Sequence, residues 1–140
     1  MSEYPREMMT RGPTPTVGGP ITLIAQSDMD ENTVVTFGTE DQTCEKCGVL
    51  DFPLGWLQAA VDEDEVATVS LFAPVWLVRV SSLSAVVTFG DTLECAAAGE
   101  VRRAQQDSGA TIFGKAMQDG EGEGIILAMP IVCCPSYTTT

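Results

Sequence analysis

The sequence contains no histidine, and only 7 of its 140 residues are lysine or arginine. The missing histidine removes the commonest general base of enzymes and the commonest metal ligand together. The chain has 20 acidic residues, so its net charge is −13 at pH 7. A molecule with this charge repels the phosphate backbone of nucleic acids and anionic membrane surfaces. We therefore expect neither a nucleic-acid partner nor a membrane partner.

Long apolar runs are also missing. The longest apolar stretches have about ten residues, whereas a membrane-spanning helix needs roughly 20. Residues 1–20 lack the apolar segment of a secretory signal. We therefore expect a protein that is made in the cytoplasm and used without export.

Catalytic motifs are equally scarce. Serine, aspartate and cysteine are present, but without histidine a nucleophilic triad lacks its proton shuttle. The glycine-containing segment 120–124 is acidic and would repel the phosphate that a glycine-rich loop cradles. The sequence predicts that the protein is not an enzyme and needs no cofactor.

The five cysteines, Cys44, Cys47, Cys95, Cys133 and Cys134, leave one thiol over if all others pair. Their odd number favours reduced thiols over a disulfide framework. Cys44 and Cys47 have the spacing of a zinc knuckle or a redox dithiol, but no βαβ pattern surrounds them. We expect no metal site. The alternative that stays open is a small metal- or ligand-binding β-barrel organised by Cys44, Cys47 and Cys95.

Residues 1–20 differ in composition from the rest of the chain. They hold four of the eight prolines, Pro5, Pro13, Pro15 and Pro20, together with three glycines, and show no helical or strand periodicity. Such a segment cannot close a ladder of backbone hydrogen bonds. We predict an extended N-terminal arm that becomes ordered against a partner.

From residue 21 onward, short runs rich in β-branched and aromatic residues alternate with turn-forming residues. This pattern is typical of many short strands and predicts an all-β domain over residues 21–132, followed by a tail over 133–140. The predicted strands are 21–26, 33–37, 66–72, 75–80, 85–89, 92–95, 101–103, 112–116 and 124–128. Only residues 54–60 suggest a short helix, and weakly.

The pentapeptide Val-Val-Thr-Phe-Gly occurs twice, at residues 34–38 and again 52 positions later at 86–90. Further features follow in the same order after each copy: a cysteine, an acidic turn, an apolar strand and a proline. We therefore predict two similar β units, 33–80 and 85–132, that pack about a pseudo-twofold axis into one sandwich or small barrel. The alternative is a chance recurrence of residues common in strands.

The second unit carries several short motifs in a fixed order. These are a Gly90-Asp91 turn entering a strand, a hairpin over residues 99–102 (Gly-Glu-Val-Arg), a strand over 112–116 (Ile-Phe-Gly-Lys-Ala), and an apolar strand after the acidic glycines Gly120 and Gly124. In these motifs the chain resembles the capsid cement, or head-decoration, proteins of tailed bacteriophages. The resemblance covers residues 85–132, and more loosely 33–78.

The resemblance implies a structural virion protein that binds the major capsid protein on the outer surface of the shell and stabilises the head. It also implies a homo-oligomer, with a trimer favoured, and an N-terminal arm that orders on the shell. Within the arm, Tyr4, Met8, Met9 and Val17 are the expected apolar anchors. The full set of expected partner-binding residues is Tyr4, Arg6, Met8, Met9, Arg11, Pro13, Pro15 and Val17.

Overall fold

The computed structural model describes residues 20–71, 75–82, 86–105 and 108–130. Within these ranges the chain forms twelve β-strands and no helix, so none of the described residues belongs to a helix that could cross a membrane. The strands are β1 (Ile21–Ala25), β2 (Val34–Phe37), β3 (Thr43–Lys46), β4 (Gly55–Leu57), β5 (Val66–Ser70), β6 (Trp76–Arg79), β7 (Val86–Val87), β8 (Thr92–Cys95), β9 (Val101–Arg103), β10 (Ile112–Ala116), β11 (Gly120–Glu121) and β12 (Ile125–Pro130). The predicted all-β class is confirmed.

The first five strands form a closed barrel in the order β1-β3-β2-β4-β5. The barrel closes because β5 pairs antiparallel with β1, while β1 and β3 run parallel. The two-residue period of β5 is visible in its burial, since Ala67 and Val69 are buried and Val66 and Thr68 are exposed. The interior is filled by Leu23, Ala25, Met29, Val35, Cys44, Leu57, Val61, Ala67 and Val69.

The remaining strands form a second five-stranded sheet in the order β6-β12-β10-β8-β9, with all neighbouring strands antiparallel. The sheet curves until Val80, next to β6, forms a parallel bridge with Val101 of β9. Strands β7 and β11 pair as a separate two-stranded ribbon.

One apolar core joins the barrel to this sheet. From the barrel it receives Val34, Cys47 and Trp56, and from the rest of the chain Trp76, Val78, Val80, Val87, Leu93, Cys95, Val101, Phe113, Ala116, Ile126 and Ala128. Trp76 and Phe113 stack with their ring centroids 5.5 Å apart. Full burial of an aliphatic side chain contributes about 1.5–3 kcal/mol. The barrel and the sheet therefore stabilise each other.

A backbone contact at Gly99 fixes how the barrel and the sheet meet. The Gly99 N–H donates to the Cys47 carbonyl at 2.9 Å, and the Val34 N–H donates to the Gly99 carbonyl at 3.0 Å. Gly99 has a φ of +78°, and a Cβ atom there would lie 2.8 Å from the Val34 carbonyl oxygen. Glycine is required at this position because both the left-handed backbone and the close approach exclude a side chain.

The predicted helix at residues 54–60 is wrong. Residues Gly55–Leu57 form strand β4, and all three residues are buried. A short strand buried on both faces gives a continuous apolar run, which periodicity cannot distinguish from a turn of helix. Strand β3 (Thr43–Lys46) was not predicted because its Glu45 and Lys46 made the segment resemble a polar loop.

The described residues form two five-stranded units, but the boundary between the units lies at a different position along the chain from the predicted boundary. Strand β6, expected in the first unit, pairs with β12 in the second sheet. The two pentapeptides are also not equivalent. In the first copy Val34 faces the shared core and Val35 the barrel interior, whereas in the second Val87 faces the shared core and Val86 is exposed. Strand β2 also pairs with two strands of the barrel, whereas within the described ranges β7 pairs only with β11 in the ribbon, so the two copies lie in different surroundings.

Candidate interaction surface

The eight residues expected to bind a partner lie outside the described residues. They are Tyr4, Arg6, Met8, Met9, Arg11, Pro13, Pro15 and Val17. The predicted arm over residues 1–20, apart from Pro20 itself, and the tail over 133–140 are likewise outside. Both stay predictions.

The thiols that could have organised a metal site point into two different cores. Cys44 lies in the barrel interior, whereas Cys47 and Cys95 lie in the core shared with the sheet. All three are free and buried. Among the described residues no group of three or more cysteine, aspartate and glutamate side chains could hold a metal ion. The structure thus gives the alternative of a cysteine-organised metal barrel no ligand set; Cys133 and Cys134 are outside the described residues.

Cys47 and Cys95 lie together in this core, and the Cys47 thiol donates to the Gly48 and Asp51 carbonyls. The neighbouring Cys47 thiol and burial raise the pKa of Cys95 well above the ordinary thiol value of 9.0. Burial, aided by the charge of Glu45, also raises the pKa of Cys44. A thiol that stays protonated at neutral pH is a poor nucleophile. These cysteines therefore behave as core residues.

The pKa of Cys95 leads to a prediction for alkaline pH. The unfolded chain loses the thiol proton near pH 9, while the folded chain keeps it to higher pH. Stability therefore falls as pH rises above about 9, by up to about 1.4 kcal/mol per pH unit for one thiol, and is unaffected at neutral pH. Urea unfolding at pH 7.5 and pH 10, with Cys95→Ala as control, measures this effect. An equal loss of stability in both proteins would contradict the assignment.

Glu94 is a fully buried carboxylate that organises a surface segment. It lies on β8 and accepts hydrogen bonds from Arg102 Nε at 2.8 Å, Ser108 Oγ at 2.8 Å and the Gln105 N–H at 3.3 Å. The Ser108 hydroxyl also accepts from the Ala110 N–H at 3.1 Å. This network holds the chain after β9 against the outer face of β8 and covers that part of the sheet.

The part of the outer sheet face that this segment leaves open is apolar. We call it the β6–β12 face and define it by Leu77 on β6, Met117 after β10, and Ile125, Leu127 and Met129 on β12. Leu77 lies directly opposite Leu127, and the Met117 N–H donates to the Leu127 carbonyl at 2.8 Å, so the three form a row across the sheet. This face was not predicted from the sequence. Its signal was the unbroken apolar run 125–129, where a one-sided strand would alternate with polar residues.

Acidic side chains are concentrated around a cleft between the barrel and the sheet. The cleft has a volume of about 500 Å³ and is lined by Asp28, Asp30, Asp62 and Glu100 together with Lys46 and Arg79. The Asp28 carboxylate accepts the Glu63 N–H at 2.8 Å, and the four acids of the turn 62–65 are exposed. This acidic run therefore forms a solvated turn before β5.

Comparison with known proteins identifies a similar fold but no family. No protein-family model matches the sequence, and no curated protein matches it. Among solved structures, the chain is similar to the N base of the head fiber protein gp8.5 of bacteriophage phi29, with a TM-score of 0.66 and 16% sequence identity. The match covers 84% of this chain and 98% of that one. At this identity the likeness shows the fold alone.

Proposed function

We propose that this protein is a structural component of a bacteriophage head, which binds the outer surface of the major capsid protein shell and stabilises it. The observation that carries the proposal is the similarity of fold to nearly the whole base of a phage head fiber. The motifs in residues 85–132 independently resemble those of head-decoration proteins. The protein acts without catalysis, as a virion protein on the outside of the capsid.

In this proposal the arm over residues 1–20 attaches the folded body to the shell. Its apolar side chains Tyr4, Met8, Met9 and Val17 enter pockets of the capsid protein, while Arg6 and Arg11 meet carboxylates. A stable protein interface buries about 1,200–2,000 Å² in total. Assembly as a homo-oligomer, with a trimer favoured, multiplies weak contacts because the linked copies bind at a high effective concentration.

The strongly acidic body suits a position on the outer surface. A net charge of −13 disfavours contact with packaged DNA and keeps the free protein soluble before it binds. Binding must therefore come from surfaces that are not acidic. Residues 1–20 meet this condition, since Arg6 and Arg11 balance Glu3 and Glu7.

The test is retention of the protein on expanded, DNA-free heads of its phage, measured by co-sedimentation. We expect the full chain to pellet with the heads and to raise their melting temperature. A chain whose first 19 residues are scrambled in order, at unchanged composition, is expected to bind at least about tenfold more weakly, a loss of about 1.4 kcal/mol. Full-length protein that stays in the supernatant and leaves the melting of the heads unchanged would refute the proposal.

A further inference from the structure

The β6–β12 face is a continuous apolar surface and not a set of isolated exposed residues. Side chains two apart on a strand share one face, which places Ile125, Leu127 and Met129 together on β12. Leu77 and Met117 flank Leu127 on either side. Scattered exposed apolar residues are normal on any protein, but a contiguous patch marks an interaction site.

Four of the five side chains of this face are exposed in the folded chain, and Leu127 between them is half-buried. Leu77 is 38% exposed, Met117 and Ile125 are each 39% exposed, and Met129 is 47% exposed. Removing such area from water contributes about 25 cal/mol per Å². Methionine, with its flexible and polarisable side chain, is enriched in interfaces. The face can therefore supply the apolar centre of a protein interface.

The two charged residues that pair across the strands with members of the face are both basic. Lys115 pairs across the strands with Met129, and Arg79 pairs with Ile125. Lys115 is exposed, and no described residue forms an ion pair with it. Arg79 reaches toward the barrel and donates to the Glu31 carbonyl at 3.3 Å. The nearest acids along the chain are Asp119, two residues after Met117, and Glu123, two residues before Ile125; both are exposed and lie in the connection between β10 and β12.

This distribution of charge indicates the kind of partner surface that can bind to the face. A protein surface rich in carboxylates is repelled by most of a chain with a net charge of −13. At the β6–β12 face it meets Lys115 and an apolar centre instead. Complementary charge of this kind fixes the orientation of binding more than it adds to affinity.

We infer that the β6–β12 face is the surface by which the folded body seats on an apolar, carboxylate-edged protein surface, which under the proposed function belongs to the major capsid protein. The inference rests on that proposed function and adds a second contact to the arm. The arm attaches the protein, and the face sets which side of the body lies against the shell.

Four single variants in the full-length protein test the inference. Lys115→Glu reverses the charge beside the face, and Leu127→Thr removes its apolar centre while keeping a residue that favours strands. Lys46→Glu and Val66→Thr make matching changes at exposed positions of the barrel. Retention on expanded heads is measured at 50 and 300 mM salt, with the melting temperature as a check on folding.

We expect the two face variants to bind about tenfold more weakly than the unchanged protein, as truncation of an interface centre does, and the two barrel variants to bind within about twofold of it. Lys115→Glu should also reduce the salt dependence of binding, while the contribution of Arg6 and Arg11 in the arm remains. Equal retention of all four variants overturns the inference and leaves the proposed function intact, whereas absence of binding by the unchanged protein refutes the proposed function itself.

Two other occupants of the face give different results. If a second copy of the chain covers it, Leu127→Thr changes the sedimentation coefficient of the free protein. If residues 131–140 cover it, their removal increases hydrogen exchange on β12 in the free protein. Either result overturns the assignment to a capsid surface.

Discussion

Val34→Lys is expected to remove most or all of the stability of the fold. Val34 is fully buried in the core that joins the barrel to the second sheet, and the members of that cluster are apolar. An ammonium group placed there loses its hydration without gaining a counter-charge, at a cost of about 4 kcal/mol or more. Since domains of this size are stable by only about 5–15 kcal/mol, the variant should show no cooperative urea transition, or one shifted close to zero urea.

The repeated pentapeptide supplies the control for this experiment. Val86 is the first residue of the second copy, as Val34 is of the first. It is 64% exposed and lies opposite Glu121 on the two-stranded ribbon. Val86→Lys places a cation across from that carboxylate, so its free energy of unfolding should stay within about 0.5 kcal/mol of the unchanged protein. Equal tolerance of both variants would contradict the burial assigned to the first copy.

This pair of valines shows which part of the fold the sequence could predict. Composition and the spacing of apolar runs predicted an all-β chain, and eight of the nine predicted strands overlap strands of the first barrel or the second sheet. The ninth, over residues 85–89, contains β7 of the small ribbon. The identical pentapeptides could not reveal which side chains of each copy are buried, because pairing partners far along the chain decide which face of a strand is buried.

The candidate interaction surface was predictable only in part. The run 125–129 carries apolar residues at every position, which signals a strand with no polar face. The sequence does not show that the outer side of β12 stays uncovered. This depends on the position of the segment after β9, which the contacts of Glu94 fix. A glutamate between Leu93 and Cys95 in an apolar strand was a visible signal for that network, but its partners lie 8 to 14 residues away.

Arg102→Ala is expected to lower the free energy of unfolding by about 3 kcal/mol. Arg102 forms the ion pair with Glu94 and its side chain is 24% exposed, whereas Glu94 is completely buried. Removing the guanidinium leaves a carboxylate without its counter-charge inside the protein, which typically costs 3–5 kcal/mol. Urea unfolding followed by tryptophan fluorescence measures the loss. Arg103→Ala, an exposed neighbour on β9, is the matched control and should change stability by less than about 0.5 kcal/mol.

The double variant Glu94→Leu, Arg102→Leu separates the effect of the ion pair on the stability of the protein from the effect of Glu94 on the position of the segment after β9. Replacing both members of a buried ion pair by apolar residues is often neutral or stabilising, so most of the lost stability should return. The Gln105 N–H and the Ser108 hydroxyl, however, still lack their acceptor. Hydrogen exchange at Gln105 and Ala110 should therefore stay faster than in the unchanged protein. Slow exchange at both amides in the double variant would show that packing, and not the Glu94 carboxylate, holds this segment against the sheet.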